Sequence, residues 1–142
     1  MPGSQQAKLT MGKKGRERLL HSLFLLITGH RKLLRVSGES MLPTLHQGDI
    51  VIYRADKTSN LDIRKGVILI IRSPLDPSIL IIKRLHQSNP LGLDIRGDNE
   101  HASNDSRTFG LVNHSHLHGV VEHIIPRFNF KISIKKILKK LT

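Results

Sequence analysis

Cysteine is absent from all 142 residues, which excludes disulfide bonds, thiolate zinc sites and a cysteine nucleophile together and is compatible with a reducing compartment. Tryptophan is also missing and aromatics make up only 4%, so there are few platforms on which nucleic-acid bases could stack. The core must then be assembled mainly from Ile, Leu and Val, residues that suit strands. No apolar run reaches the 18 or so residues of a membrane-spanning helix. The longest, Leu19 to Ile27, is about half that length and contains His21 and Ser22. Gly29-His30-Arg31-Lys32 follows it where a signal peptide would carry a small-residue cleavage site, so it reads as a short amphipathic or buried helix.

Acidic residues are scarce at both ends of the chain. Residues 1–35 hold eight Lys and Arg against one acid, residues 127–142 hold six against none, and residues 36–126 hold nine against ten. The net charge of +12 therefore sits on the two ends, and the central domain is close to neutral. A nucleic-acid-binding enzyme carries its basic surface on the folded domain, so a nucleic-acid partner is not expected.

The organisation follows from composition. Residues 1–16 are a polar, basic arm expected to be disordered. Residues 17–32 hold a short helix, from about Glu17 to Thr28, and residues 33–126 form the domain. Within it the apolar runs Leu33 to Val36, Ile50 to Tyr53, Val67 to Ile71, Ile79 to Ile82, Leu91 to Ile95 and Gly119 to Ile125 predict strands separated by Gly, Pro, Asn and Asp clusters. Residues 72–78 read as a hairpin loop. In residues 127–142, Ile134, Ile137, Leu138 and Leu141 recur at helical spacing among lysines, which predicts a basic amphipathic helix suited to its own domain, an anionic membrane surface or an acidic partner.

The chemistry concentrates in three blocks. The first runs from Ser37 to Leu45 as S-G-x-S-M-x-P-T-L, placing Ser40 on a Gly-containing turn just before Pro43. Such a backbone exposes a hydroxyl and can aim the serine's own N–H at a reacting oxygen. No histidine partner is evident, and neither a G-x-S-x-G elbow nor an H-E-x-x-H motif occurs. The second block offers another base, Lys83, at the end of the apolar run Ile79 to Ile82. An unperturbed lysine is neutral in only about one molecule in 2,500 at pH 7, so Lys83 can act as a base only if burial lowers its pKa. The third block runs from Gly97 to Val112 as G-D-N-x-x-x-S-x-D-S-R-x-F-G-x-V.

These blocks, in this order, resemble the signal peptidase I family of serine proteases over about residues 33–124. The resemblance implies a mainly β, antiparallel catalytic fold with a short N-terminal helix and a basic C-terminal helix. It implies that Ser40 is the nucleophile and Lys83 the general base, with the Ser40 N–H donating to the oxyanion. Ser103 would orient the Lys83 amine, Asp105 and Arg107 would pair to hold the loop beneath the site, and Met41 would line it. Substrates of the family bind as extended strands, and no metal or cofactor is implied.

The chain departs from the family in several places. Gly38 stands where some members carry a second oxyanion hydroxyl, and Gly66-Val67 replaces a Gly-Asp pair. Only 13 residues separate Lys83 from Gly97, so a large inserted β-domain is absent, and the membrane anchor is reduced to Leu19 to Ile27. A short catalytic domain of this kind is most similar to the nickel-type superoxide dismutase maturation proteases, which remove an N-terminal propeptide. That implies a protein substrate and a cytoplasmic location, peripheral at most to the inner face of a membrane through the basic helices. The alternatives are a small, membrane-associated signal peptidase acting on exported proteins and a non-catalytic peptide-binding domain. A self-cleaving repressor would need a DNA-binding helix-turn-helix, for which the first 32 residues leave little room. Finally, His114, His116 and His118 would share one face if they lay on a strand, which makes them a weak candidate for nickel or zinc.

Overall fold

The structure is a computed structural model and describes residues 12–55 and 63–127. The basic segment from 128 to 142 and the first eleven residues of the polar arm lie outside the described residues. Helix α1 spans Lys13–Ile27. It begins four residues ahead of the expected Glu17, because Lys13, Lys14 and Arg16 continue the helix with their side chains exposed to solvent. The strands are β1 Lys32–Arg35, β2 Ile50–Ala55, β3 Ile68–Arg72, β4 Leu80–Asn89, β5 Gly92–Arg96 and β6 Leu117–Ile125, with a one-turn helix α2 at Ser106–Phe109. All six apolar runs lie on these strands to within one residue at an end.

The strands form one antiparallel sheet in the order β1-β2-β6-β3-β4-β5. Residues 73–79 make the β3–β4 hairpin loop, where the Ser73 hydroxyl accepts the N–H groups of Leu75 and Asp76. Strand β4 runs past its apolar half through His86 to Asn89, since pairing with β5 satisfies that backbone while Gln87 and Ser88 stay in solvent.

Central strand β3 explains why its sequence is continuously apolar rather than alternating. Ile68 and Ile70 face one core cluster, with Val36, Met41, Leu45, Val51 and Tyr53. Leu69 and Ile71 face the other, with Leu85, Leu93, Ile95 and Val112. A strand buried on both faces has no solvent side to make polar. Leu34 of β1 and Leu80 and Ile82 of β4 pack against the first cluster too, although their strands are well separated in the sheet, so the sheet curls around it.

Candidate active site

Ser40 is presented by the segment joining β1 to β2. Val36 still pairs with the second strand, its N–H donating to the Asp49 carbonyl at 2.8 Å and its carbonyl accepting the Gly48 N–H at 2.9 Å. The chain then turns at Gly38, whose φ of +84° is open to glycine at little cost. The Leu42 N–H donates to the Glu39 carbonyl and the Leu45 N–H to the Met41 carbonyl, closing a tight coil around Ser40. Met41 and Leu45 are driven into the first core cluster, while Glu39 remains exposed. Met41 is thus buried in the core immediately beside Ser40. Among the described residues the Ser40 N–H has no backbone acceptor.

Lys83 arrives from the opposite direction on β4, paired with Leu69 of β3. Alternation along the strand puts its side chain on the face of Ile81 and Leu85, which belong to the second cluster. The residue is only 4% exposed, and its Nζ lies 2.7 Å from the Ser40 Oγ, the one hydrogen bond that it makes with the described residues. Burial pushes the Lys83 pKa below the ordinary lysine value; the Asp105 carboxylate opposes that shift and the Arg107 guanidinium reinforces it.

Asp105 is fully buried. Its carboxylate accepts the Gly97 N–H at 2.8 Å, the Arg107 N–H at 3.1 Å and the Ser103 hydroxyl, and it takes a bidentate contact from Arg107, Nε at 3.1 Å and Nη2 at 2.8 Å. Burial alone would raise the Asp105 pKa, but these donors outweigh it and hold the carboxyl well below the usual carboxylate range. Arg107 also donates to the Gly97 carbonyl at 3.1 Å and lies 3.4 Å from Glu100. The expected Asp105–Arg107 pair is therefore present. Ser103 differs from expectation: its hydroxyl is given to Asp105 and makes no hydrogen bond to Lys83, because the buried carboxylate is the stronger acceptor within reach.

Three contacts of the site were not foreseen from the sequence, although Asp98 and Asn99 read there as turn residues that fix the site loop. Gly97 is wedged against the Ser40 segment: a Cβ there would come within 2.5 Å of the Ser40 carbonyl oxygen and collide with Ser103. Asn99 ties the same loop to the Ser40 segment, its backbone N–H donating to the Ser40 carbonyl at 2.9 Å and its side chain to the Glu39 carbonyl at 3.1 Å. Arg84, next to Lys83, grips Asp98 through Nε at 2.8 Å and Nη2 at 2.7 Å and donates to the Gly66 carbonyl at 2.6 Å, while Asp98 also accepts the Thr44 hydroxyl. The signal was available, since Arg84 directly follows Lys83 and the G-D-N run opens the third block.

The three histidines do not share a strand face. His114 and His116 lie in a 3-10 turn and only His118 is on β6. Ring nitrogens of His114 and His116 are within hydrogen-bonding distance of the carbonyls of Asn89 and Arg72, and His118 stands 3.3 Å from the Tyr53 hydroxyl. Among the described residues no group of three His, Cys, Asp or Glu side chains is arranged to hold a metal ion.

The chain was compared with known proteins. It is 34% identical over 107 residues to the mitochondrial ATP-independent inner membrane protease subunit 1a of Arabidopsis thaliana, covering 59% of this chain and 64% of that one. It is 32% identical over 113 residues to the mitochondrial inner membrane protease subunit 2 of Mus musculus, covering 64% and 65%. For the mitochondrial inner membrane protease subunit 1 of Homo sapiens the figures are 29% over 121 residues, and 71% of each chain. The matched region thus spans slightly less than two thirds of the first two relatives. A family profile described as Peptidase S24-like matches residues 5–120, which contain the Ser40 turn, Lys83 and the whole Asp105–Arg107 loop, and the chain belongs to this family.

Proposed function

We propose that this chain is a serine endopeptidase working through a Ser40/Lys83 dyad on the N-terminal region of another protein. The observation that carries the reading is the 2.7 Å approach of a buried lysine amine to the Ser40 hydroxyl. The neutral amine takes the hydroxyl proton as Oγ attacks the scissile carbonyl carbon. The Ser40 N–H donates to the oxygen that becomes negative. Lys83 then passes the proton to the departing amine as the peptide C–N bond breaks, leaving an acyl-serine. In the second half Lys83 takes a proton from water, the hydroxide attacks the ester carbon, and the proton returns to Ser40 Oγ as the acid product leaves. Gly97, Asn99 and the Arg84–Asp98–Thr44 contacts hold the two halves of the dyad in register.

For the substrate, a short domain of this kind favours the propeptide junction of a nickel-type superoxide dismutase precursor. The relatives named as inner membrane proteases favour a second reading, cleavage of an exported preprotein by a membrane-associated enzyme. Mass spectrometry of both precursors after incubation with wild type and with Ser40→Ala tests the proposal. Cleavage of either by wild type alone supports the peptidase and selects its substrate class. Equal cleavage by Ser40→Ala, or none of either precursor or of a peptide spanning its junction, overturns it.

A further inference from the structure

The Glu39 side chain has no task in the fold. The residue's carbonyl is used twice, accepting the Leu42 N–H at 3.1 Å and the Asn99 side chain at 3.1 Å, but any residue at this position would offer the same carbonyl. The side chain itself is exposed, and among the described residues its carboxylate makes neither an ion pair nor a hydrogen bond. The other acids of the site are each tied to an arginine: Asp98 to Arg84 at 2.7 Å, Asp105 to Arg107 at 2.8 Å and Glu100 to Arg107 at 3.4 Å. Glu39 directly precedes Ser40, so the two Cα atoms are about 3.8 Å apart. The Asn99 contacts fix the segment that carries both residues. A bare carboxylate at that place opposes the negative charge that gathers on the substrate's carbonyl oxygen as Oγ attacks. The nearby cations do not offset it, since the Lys83 amine lies buried against Ser40 Oγ and Arg84 is held by Asp98.

We propose that Glu39 determines specificity: it favours protein segments that carry lysine or arginine within three residues of the scissile bond and disfavours those that carry aspartate or glutamate there. A substrate cation brought against Glu39 satisfies the free carboxylate and lifts its opposition to the oxyanion. A substrate acid adds a second like charge, so selection works by attraction and by repulsion at the same side chain. Two exposed unit charges about 7 Å apart in water change affinity roughly threefold. Lysine against glutamate at one substrate position should then differ by about tenfold at low salt, and by less as salt is added. The inference deepens the peptidase reading and rests on it for the chemistry. Binding to the Ser40→Ala chain is read without turnover, so the two can fail separately.

The probes are peptides spanning the two precursor junctions named above, each made with Lys, Gln or Glu at a single position that is moved from three residues before the cut to three residues after it. Calorimetry on the full chain carrying Ser40→Ala gives Kd, and the wild-type chain gives kcat/KM. At one position or more the Lys peptide should exceed the Glu peptide by about tenfold in both measurements, with the Gln peptide between them. Glu39→Gln should bring that ratio to about one, and Glu39→Lys should invert it. A general loss of folding would weaken all three peptides alike, so only a change in the ratio counts, and Glu39→Gln keeps the test open should Glu39→Lys fail to fold. Wild-type ratios within about twofold of one at every position overturn the inference and leave the dyad standing. So does a ratio that neither substitution changes. Charge-dependent binding to Ser40→Ala that Glu39→Lys reverses, with no turnover by wild type, supports Glu39 as the reader of charge and counts against the peptidase instead.

Discussion

Gly97→Ala offers a direct test of how tightly the site is assembled. Gly97 does not use a positive φ, so alanine fits its backbone and the effect must come from contact alone. The added methyl would sit 2.5 Å from the Ser40 carbonyl oxygen and 2.6 Å from the Ser103 Cβ. Ordinary contact begins near 3.4 Å, so one of the two segments must retreat by roughly 1 Å. Ser103 is held by Asp105 and the Ser40 carbonyl by Asn99, so neither yields without losing a hydrogen bond. Overpacking of this kind costs about 1–3 kcal/mol, which for a domain of this size lowers Tm by roughly 3–10 °C. Displacement of a reacting group by about 1 Å costs on the order of 100-fold in rate. A peptide-cleavage assay with calorimetry should therefore show kcat down about 100-fold, KM little changed and a cooperative transition retained. A kcat within threefold of wild type would refute the claim that Gly97 sets the position of Ser40.

Lys83→Met should abolish turnover by at least about 1,000-fold, as loss of a general base does, yet keep or raise Tm, because it replaces a buried ammonium with an apolar chain of similar length; a markedly less stable variant would show that the lysine is there for the fold. In wild type, kcat/KM should rise with pH through the pKa of Lys83, with a midpoint below the ordinary 10.5. The sign for stability is fixed by the same shift. With the folded pKa below the unfolded one, the buried ammonium lowers stability at all pH values below the folded pKa, and the penalty fades as pH rises from there to the unfolded value. Arg107→Ala should cost on the order of 3 kcal/mol, since it strands the fully buried Asp105 charge, and should move the rate midpoint to higher pH. An unchanged midpoint in a folded Arg107→Ala would disprove the coupling.

Much of this was legible because the strands are short, apolar and punctuated. Ile68 to Ile71 reads as a strand from composition alone, and the structure buries both of its faces. The polar end of β4 did not read so, because His86 to Asn89 earn their place through hairpin pairing with β5, a non-local cause. Nor does any local pattern place β6 between β2 and β3, an order settled by core packing. The histidine trio failed for a related reason: alternation predicts a shared face only on a strand, and the chain enters β6 through a 3-10 turn. In the site, Ser40 and Lys83 announce themselves by motif, whereas Gly97 matters for what it lacks, and only the close approach of two segments makes the missing methyl visible.

The arrangement around Lys83 resolves a conflict that burial alone creates. A lysine among Ile and Leu loses its proton more readily, but a carboxylate nearby restores the preference for the charged form. Asp105 is such a carboxylate and cannot be dispensed with, since it accepts the Gly97 N–H and the Ser103 hydroxyl that shape the loop. Arg107 reconciles the two demands. Its bidentate grip offsets the Asp105 charge locally and its own charge further disfavours an ammonium at Lys83, adding to the downward effect of burial, which is the largest of the three. Ser103 donates its hydroxyl to the same carboxylate and so helps to keep Asp105 ionised within the loop. The D-S-R run is then more than a loop clamp: aspartate without arginine would oppose the effect of burial on Lys83 more strongly, and arginine without aspartate would leave the Gly97 turn without its acceptor.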